Sequence, residues 1–278
     1  EFRRVLFRSG EVGRVETDSD VKIGDDDGTA EGTSTPSIMG SVFGGGAGVE
    51  THGYSALVRG NTTVTVEGNA SVAHSVYGGG EIASVGKYGL DAQKMPSILQ
   101  GGGYCNVTVR GHANIAEDVF GAGQGVTPHF DNDNDDHSKR SRRMTVYNST
   151  DFPDSSGPNG SGTWEYYEDY PNDYSGTKFV WDYYQTSESY STYLETLALA
   201  THPEVTIDGD ATVNGSVFGG GELGLTKGSV IVKIKGGTIA EDVYGGGSLA
   251  NTNTTSTVDL DGDGETETVH PTTTVNLT

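Results

Sequence analysis

The sequence predicts an all-β protein, a right-handed parallel β-helix (β-solenoid) with about 26 residues in each coil. Three observations predict this fold. A motif of one aromatic residue and several glycines recurs, an alternating apolar segment precedes most copies, and the composition is rich in glycine. The 278 residues include 43 Gly, and only 33% of them are hydrophobic. Stacked short strands with glycine corners can share one narrow core that no single unit could form.

The recurring motif is Ser or Asp, then Val, then an aromatic residue, then glycines. Its five copies are SVFGGG at 41–46, SVYGGG at 75–80, DVFGAG at 118–123, SVFGGG at 216–221 and DVYGGG at 242–247. The aromatic residues and the glycines that follow them are Phe43, Tyr77, Phe120, Phe218 and Tyr244, with Gly44, Gly78, Gly121, Gly219 and Gly245. Successive aromatic residues are 34, 43, 98 and 26 residues apart, so a unit of 26 carries insertions of variable length.

Alternating segments precede four of these copies: TVTVEG, NVTVRG, VTIDG and VIVKIKG. Apolar residues at every second position predict a half-buried strand, because successive side chains point to opposite faces. A further apolar residue lies four positions before the motif valine, which gives about three short strands in each unit. The alternative is an antiparallel sandwich or propeller, although propeller blades usually need periods of about 40 residues or more.

The insertions all fall between the glycines and the next alternating segment. Stacked coils would therefore project them from one corner, and we place function on that side because loops on a rigid scaffold commonly carry binding. The predicted organisation is a polar leader or partial coil at 10–31 and a solenoid at 32–278, interrupted by a Tyr-rich insertion at 125–203.

Both ends of the sequence are unusual. The first nine residues, EFRRVLFRS, resemble the translation of a sequencing-adapter oligonucleotide, and we interpret residues 1–9 as non-native. At the other end, TTTVNLT from Thr272 matches the opening of NTTVTVEG at Asn61. We expect a further coil to begin there, so that the sequence is an internal piece of a longer protein, truncated at its C-terminus.

Composition excludes several classes of partner. A formal charge of −22 and a pI near 4.4 argue against nucleic acid, whose phosphates need positive charge, and against an anionic membrane surface. No run approaches the roughly 20 apolar residues of a membrane helix, so direct membrane insertion is not expected. The single cysteine, Cys105, excludes an internal disulfide framework, and its place in YCNVTV predicts a small buried residue.

The Tyr-rich insertion holds the first set of candidate binding residues. Amphipathic rings can stack on sugars or anchor a protein partner. The candidates are Trp164, Tyr166, Tyr167, Tyr170, Tyr174, Trp181, Tyr183 and Tyr184. The alternative is that these rings pack the insertion against the flank of the solenoid. The segment SESYSTYLETLALA from Ser187 predicts a helix that ends this insertion.

A second candidate is an acidic loop that would bind calcium, the only cofactor the sequence suggests. Asp259, Asp261, Asp263 and Glu265 lie in DLDGDGETE, which reproduces the D-x-D-x-D-G opening of calcium loops. The pattern departs from the EF-hand at its twelfth position, which is His270 instead of Glu. The alternative is a hairpin in which STVDL and ETETV flank an acidic turn.

The recurring aromatic residues allow two interpretations. If the motif valines point inward, alternation sends the aromatic rings outward, where equivalent rings would stack along the column. The favoured interpretation is that the ladder covers the glycine corner and stabilises stacking. The alternative is an exposed ladder that grips a polysaccharide.

The V-[FY]-G-G-G motif after a V-x-[VI]-x-G strand resembles the repeats of large secreted or surface-anchored β-helix proteins of gut bacteria, whose role is adhesin-like or unknown. The resemblance implies an extracellular or bacterial cell-surface location. It also implies a scaffold whose partner is a glycan or a host or bacterial surface protein.

Pectate lyases and polygalacturonases share the parallel β-helix, a likeness of fold alone. Asp118 and Asp242 occupy equivalent positions, but Ser216 lies on the coil between them. Two strand spacings, roughly 10 Å, exceed the separation typical of glycosidase carboxylate pairs. No nucleophile–His pairing, phosphate loop or zinc-ligand spacing occurs either, so we expect no enzyme. The hypotheses are an adhesion or binding scaffold, a polysaccharide lyase or hydrolase, and a purely structural stalk.

Overall fold

Three parallel sheets lie side by side along a stack of coils in the computed structural model of the chain. The structure describes residues 6–7, 15–25, 35–48, 56–90, 96–101, 103–126, 142–148, 165–166, 177–183, 197–253, 256–258 and 267–278. Among these residues every regular element is a strand, numbered below in chain order.

The first sheet contains β2 (Ser19–Ile23), β5 (Thr62–Val66), β10 (Tyr104–Val109), β16 (His202–Ile207), β19 (Val230–Ile234) and β24 (Thr273–Leu277). The second contains β3 (Ser37–Ile38), β6 (Ser71–Val72), β11 (Asn114–Ile115), β17 (Thr212–Val213) and β20 (Thr238–Ile239). The third contains β1 (Leu6–Phe7), β4 (Val42–Phe43), β7 (Val76–Tyr77), β12 (Val119–Phe120), β18 (Val217–Phe218) and β21 (Val243–Tyr244).

One strand from each sheet makes a coil: β2, β3 and β4 form coil 1, and coils 2 to 5 begin at β5, β10, β16 and β19. Every pairing within the three sheets is parallel, and equivalent residues face each other, as Val64 faces Val107 and Val107 faces Val205. The predicted parallel β-helix is therefore confirmed, and parallel pairing excludes the antiparallel sandwich and propeller.

The core is a narrow column of valine, isoleucine and alanine. Val64, Val107 and Val205 of the first sheet and the motif valines Val76 and Val119 are at most 1% exposed and belong to one cluster. Full burial of each such side chain stabilises the fold by about 1.5–3 kcal/mol relative to exposure. A small number of repeated β-branched residues therefore replaces the bulky core of a globular domain.

The first glycine of each motif is required by close packing between coils. A Cβ added to Gly121 would lie 2.1 Å from the carbonyl oxygen of Gly219 and 2.9 Å from the Cβ of Pro203. At Gly44 the corresponding distances are 2.3 Å to the Gly78 oxygen and 2.9 Å to Val64 Cγ2. The third sheet can approach the next coil and the first sheet this closely only where no side chain intervenes.

The first coil begins earlier than the alternating segments predict. Strand β2 pairs in register with β5, and its Val21 and Ile23 are buried within the stretch predicted as a leader or partial coil. The adapter-like residues Leu6 and Phe7 pair in parallel with Val42 and Phe43. The sequence VKIG at 21–24 matches the strand pattern of later coils, so the signal for β2 was present.

A fourth stacked position closes each coil between the third and first sheets. Isolated parallel bridges join Val15, Val58 and Val85, and others join Ala200, Thr226 and Thr252. We call these six residues the bridge column. A second apolar cluster contains Val58, Val85, Ala200, Cys105 and Ala122. Three strands and one bridge therefore make up a coil.

The helix predicted from Ser187 is wrong at its C-terminal end, and its earlier residues lie outside the described part of the chain. Residues 197–200 form a turn and a bridge of coil 3. Leu197, Ala198, Leu199 and Ala200 are all at most 5% exposed. The solenoid buries all four of these residues, whereas an amphipathic helix would leave one of its faces exposed.

Candidate functional site

We use the term excursion for the chain that leaves a coil between its third-sheet strand and the next first-sheet strand. All excursions lie in this interval, as the sequence predicts, but they leave from two points on opposite sides of the bridge column. In coils 1 and 3 the chain leaves before the column, after Gly48 and Gly125. In coils 2 and 5 it leaves after the column, beyond Gly86 and Asn253. Coil 4 has no excursion and continues directly to β19.

The ends of the long excursion meet on the solenoid. The backbone amide of Gly125 donates to the carbonyl oxygen of Glu81 at 2.7 Å, and that of Ala198 donates to the oxygen of Ile82, also at 2.7 Å. Glu81 and Ile82 are consecutive, so residues 126–197 depart and return at adjacent positions of one coil. The solenoid backbone therefore continues across the gap as though the excursion were absent.

Part of the long excursion is a three-stranded antiparallel sheet. Strands β13 (Arg142–Asn148) and β14 (Glu165–Tyr166) both pair with β15 (Thr177–Tyr183). The candidates Tyr166, Trp181 and Tyr183 lie on these strands, where only the backbone is described. The other candidates, Trp164, Tyr167, Tyr170, Tyr174 and Tyr184, lie outside the described residues.

The proposed calcium residues Asp259, Asp261, Asp263 and Glu265 also lie outside the described residues. The strands on either side of them, β22 (Ser256–Val258) and β23 (Glu267–Val269), pair as an antiparallel hairpin, the structure given by the alternative interpretation. A second hairpin, β8 (Lys87–Leu90) with β9 (Pro96–Gly101), forms the excursion of coil 2. Within the described residues, no three His, Cys, Asp or Glu side chains are grouped as metal ligands.

The motif aromatics form a continuous stack. Ring centroids from Phe43 through Tyr77, Phe120 and Phe218 to Tyr244 are 4.7 to 4.9 Å apart, and their planes are within 10° of parallel. Phe43, Tyr77 and Phe120 are only 2–3% exposed. These three rings have no free face for a sugar, which contradicts the exposed-ladder alternative over coils 1 to 3. Each stacked pair contributes about 0.5–1.5 kcal/mol beyond its burial.

Tyr77 is the hydroxylated ring in the buried part of this ladder. Its hydroxyl donates to Glu222 Oε2 at 2.6 Å, although Glu222 belongs to coil 4 and Tyr77 to coil 2. Burial, with a further contribution from Glu222, raises the pKa of Tyr77 far above its usual range. The phenol therefore stays protonated at neutral pH and acts as a hydrogen-bond donor that joins two coils.

In coils 2 to 4 the Ser or Asp before the motif valine accepts a hydrogen bond from the backbone amide of the equivalent residue in the next coil. Ser75 Oγ accepts from the amide of Asp118, Asp118 Oδ1 accepts from the amide of Ser216, and Ser216 Oγ accepts from the amide of Asp242. As the sequence predicts, Ser216 lies on the coil between Asp118 and Asp242. These two carboxylates are thus committed to separate coils, and the column has the role of a structural polar ladder.

Cys105 is fully buried, as expected from the sequence, and burial raises its pKa to about 12. The thiolate is the reactive form of cysteine, and this environment suppresses it at neutral pH.

The outward side chains of the first sheet form a polar surface that the sequence analysis did not single out. Tyr104 and His202, at the starts of β10 and β16, stack with centroids 4.6 Å apart and planes 19° from parallel. Tyr104 is 48% exposed. The sequence signal for this surface lies in the polar positions of the two strands, Y-x-N-x-T in β10 and H-x-E-x-T in β16. The prediction of the fold depends only on the apolar positions of the alternating strands.

Among the described residues, no helix has the length and apolar character needed to cross a membrane. Comparison with known proteins adds no identity: no family model, no curated protein and no solved structure matches this chain.

Proposed function

We propose that this chain is a secreted or cell-surface β-solenoid that acts as an adhesion and binding scaffold for a glycan or a surface protein. The supporting observation is that four of the five coils send an excursion from the same interval between the third and first sheets. Parallel stacking places these segments along the edge between the third and first sheets, before the bridge column in coils 1 and 3 and after it in coils 2 and 5. Such loops are the usual carriers of binding on a repeat scaffold.

Two further properties suit this role. The formal charge of −22 favours solubility and discourages non-specific association with anionic surfaces. The inner rings of the aromatic ladder are used for coil stacking, so partner contacts would come from the excursions. The scaffold binds without cleaving its partner.

The test is retention of the chain on a panel of polysaccharides and host or bacterial surface proteins, with parallel measurement of new reducing sugar ends. The matched variant deletes residues 126–197 and joins Gly125 to Ala198. Ala200 pairs with Thr226, so this junction reproduces the direct Leu223–Gly224 connection of coil 4. Circular dichroism would verify that the shortened solenoid is folded.

We expect at least one partner whose retention is lost on deletion, without any new sugar ends. Release of sugar ends by the intact chain would overturn the binding role in favour of a polysaccharide-degrading one. Retention of every partner by the deleted chain would contradict the assignment of binding to the long excursion.

A further inference from the structure

The outer face of the first sheet carries a regular polar array over coils 2 to 4. Its partly exposed members are Thr63, Thr65, Asn106, Thr108 and Glu204, and Thr206 completes the register but is only 8% exposed. In the strand register, Thr63, Asn106 and Glu204 form one column, and Thr65, Thr108 and Thr206 form the other. Neighbours are about 4.8 Å apart between strands and about 6.6 Å apart along a strand.

An aromatic pair borders this array. Tyr104 and His202 lie two residues before Asn106 and Glu204 on the same strands, and alternation places them on the same face. Their rings stack at 4.6 Å, and about half of Tyr104 is accessible. The array therefore combines an accessible ring face with hydroxyl and amide groups that both donate and accept hydrogen bonds.

The array is electrically neutral on a strongly acidic chain. Its one carboxylate, Glu204, accepts a hydrogen bond from Lys233 Nζ at 2.5 Å. Burial lowers the pKa of His202 below its usual value, so the ring is uncharged at pH 7. The formal charge of −22 on the whole chain would repel an anionic ligand. A cationic ligand would lack a carboxylate to bind in the array, because Glu204 is already paired with Lys233. The surface fits an uncharged ligand.

We propose that this array, with Tyr104 and His202, binds a neutral polysaccharide that lies along the stack and contacts successive coils with successive sugars. Threonine hydroxyls and the Asn106 amide match the mixed donors and acceptors of sugar hydroxyls, and the Tyr104 face receives the apolar face of one sugar ring. This inference rests on the proposed adhesion function, but it places glycan contact on a different surface from the excursions.

The experiment measures retention of the chain on insoluble cellulose, xylan and mannan, with polygalacturonate as the anionic probe. Tyr104→Ala removes the ring face, and Tyr244→Ala is its matched control because Tyr244 is similarly exposed, at 45% compared with 48%. Thr108→Val removes one hydroxyl while keeping a β-branched side chain. Its control is Thr238→Val, on an exposed position of the second sheet.

We expect retention on at least one neutral polysaccharide, reduced about tenfold or more by Tyr104→Ala and several-fold by Thr108→Val. Both controls and the deletion of residues 126–197 should leave that retention unchanged. Loss on the deletion alone would overturn this inference while supporting the excursion-based function. The inference is also overturned by preference for polygalacturonate, by equal effects of the two tyrosine variants, or by no retention on any neutral polysaccharide.

Discussion

At the scale of single residues, one fully buried carboxylate makes contacts to two neighbouring coils. Glu67 is 0% exposed and lies between Lys22 of coil 1 and Arg110 of coil 3. Lys22 Nζ lies 2.6 Å from its Oε1, and the Arg110 Nη2 and Nε atoms lie 2.5 and 2.8 Å from Oε2. One carboxylate thus ties three coils together at the corner after the first sheet. The two cations keep contact with water, so they contribute charge without being fully desolvated.

We predict that Glu67→Gln destabilises the fold by about 1–3 kcal/mol, because the variant loses charge-assisted hydrogen bonds inside the protein. Urea unfolding monitored by circular dichroism would measure the change. Glu117→Gln is the control, because Glu117 also pairs across coils, with His74, but is 49% exposed. Its effect should remain below about 1 kcal/mol. If the two variants lost the same free energy of unfolding, the burial of Glu67 would not increase its contribution to stability.

Two buried acids give a second residue-scale prediction, on alkaline stability. Burial raises the pKa of Cys105 to about 12, and the pKa of Tyr77 is raised as well. A raised pKa in the fold means that the folded state holds the proton more tightly than the unfolded chain does. This contribution is complete below the unfolded pKa, about 8.5 for cysteine and about 10 for tyrosine, and declines as pH rises through these values toward the folded pKa.

Urea midpoints should therefore fall between pH 8 and 11 (about the titration range of these groups). Cys105→Ala should weaken the earlier part of that fall and Tyr77→Phe the later part. A thiol reagent at pH 8 offers an independent measurement: Cys105 should react slowly in the native protein and quickly in urea. Fast native labelling would contradict the burial on which the pH argument depends.

At the scale of the structural element, the motif glycines are not equivalent, and the difference is testable. A Cβ at Gly121 would meet backbone at 2.1 Å, whereas one at Gly246 finds its nearest atom at 3.7 Å. Neither glycine has the positive φ that would itself disfavour alanine. Steric space alone therefore separates the two positions.

We predict that Gly121→Ala destabilises the fold by more than about 3 kcal/mol or prevents folding, because backbone of the next coil must move to admit the methyl group. Gly246→Ala should be neutral or stabilising by up to about 1 kcal/mol, because it restricts the unfolded chain. Thermal unfolding of the two variants measures both effects. A similar loss in both would mean that the motif needs glycine for its backbone conformation.

The individual strands show which sequence patterns were sufficient to predict secondary structure. Residues 62–66 and 104–109 alternate cleanly, so their strands, faces and register followed from period two alone. Strand β2 has the same pattern in VKIG, but no copy of the motif lies at the usual distance, so the sequence predicts only a leader or partial coil there. Leu197 to Ala200 fit a helix pattern because a short apolar run does not distinguish helix from buried turn.

At the scale of the whole molecule, the sequence was a good predictor of how the coils stack. It was a poorer predictor of which side chains the stacked coils expose to a partner. Buried positions repeat from coil to coil, since each must match its neighbour. Outward positions are less constrained: Thr65, Thr108 and Thr206 do recur between apolar residues, but Tyr104 and His202 have no counterpart in the other coils, and only the strand register brings the two rings together. The bridge column was missed for a related reason: one residue per coil, variously Val, Ala or Thr, leaves no periodic signal.

The last prediction concerns how stability is distributed along the stack. In a solenoid each coil contacts only its neighbours, so local stability follows the number and quality of coil interfaces. Coils 2 to 4 have neighbours on both sides and fully buried cores, as at Val64, Val107 and Val205. In contrast, all five residues of β24 are exposed, with Leu277 at 72%, and Ile239 and Val243 of coil 5 are only partly buried.

Amide hydrogen exchange followed by mass spectrometry should therefore show the slowest exchange in β5, β10 and β16 and the fastest in β24, with β20 and β21 between them. In Glu67→Gln, faster exchange should appear first at β2, β5 and β10, the strands joined by the Lys22 and Arg110 contacts that weaken, and should leave β19 unchanged. Uniform protection from β2 to β24 would instead require that the stack opens only as a single cooperative unit. In that case the nearest-neighbour description of this solenoid would be wrong.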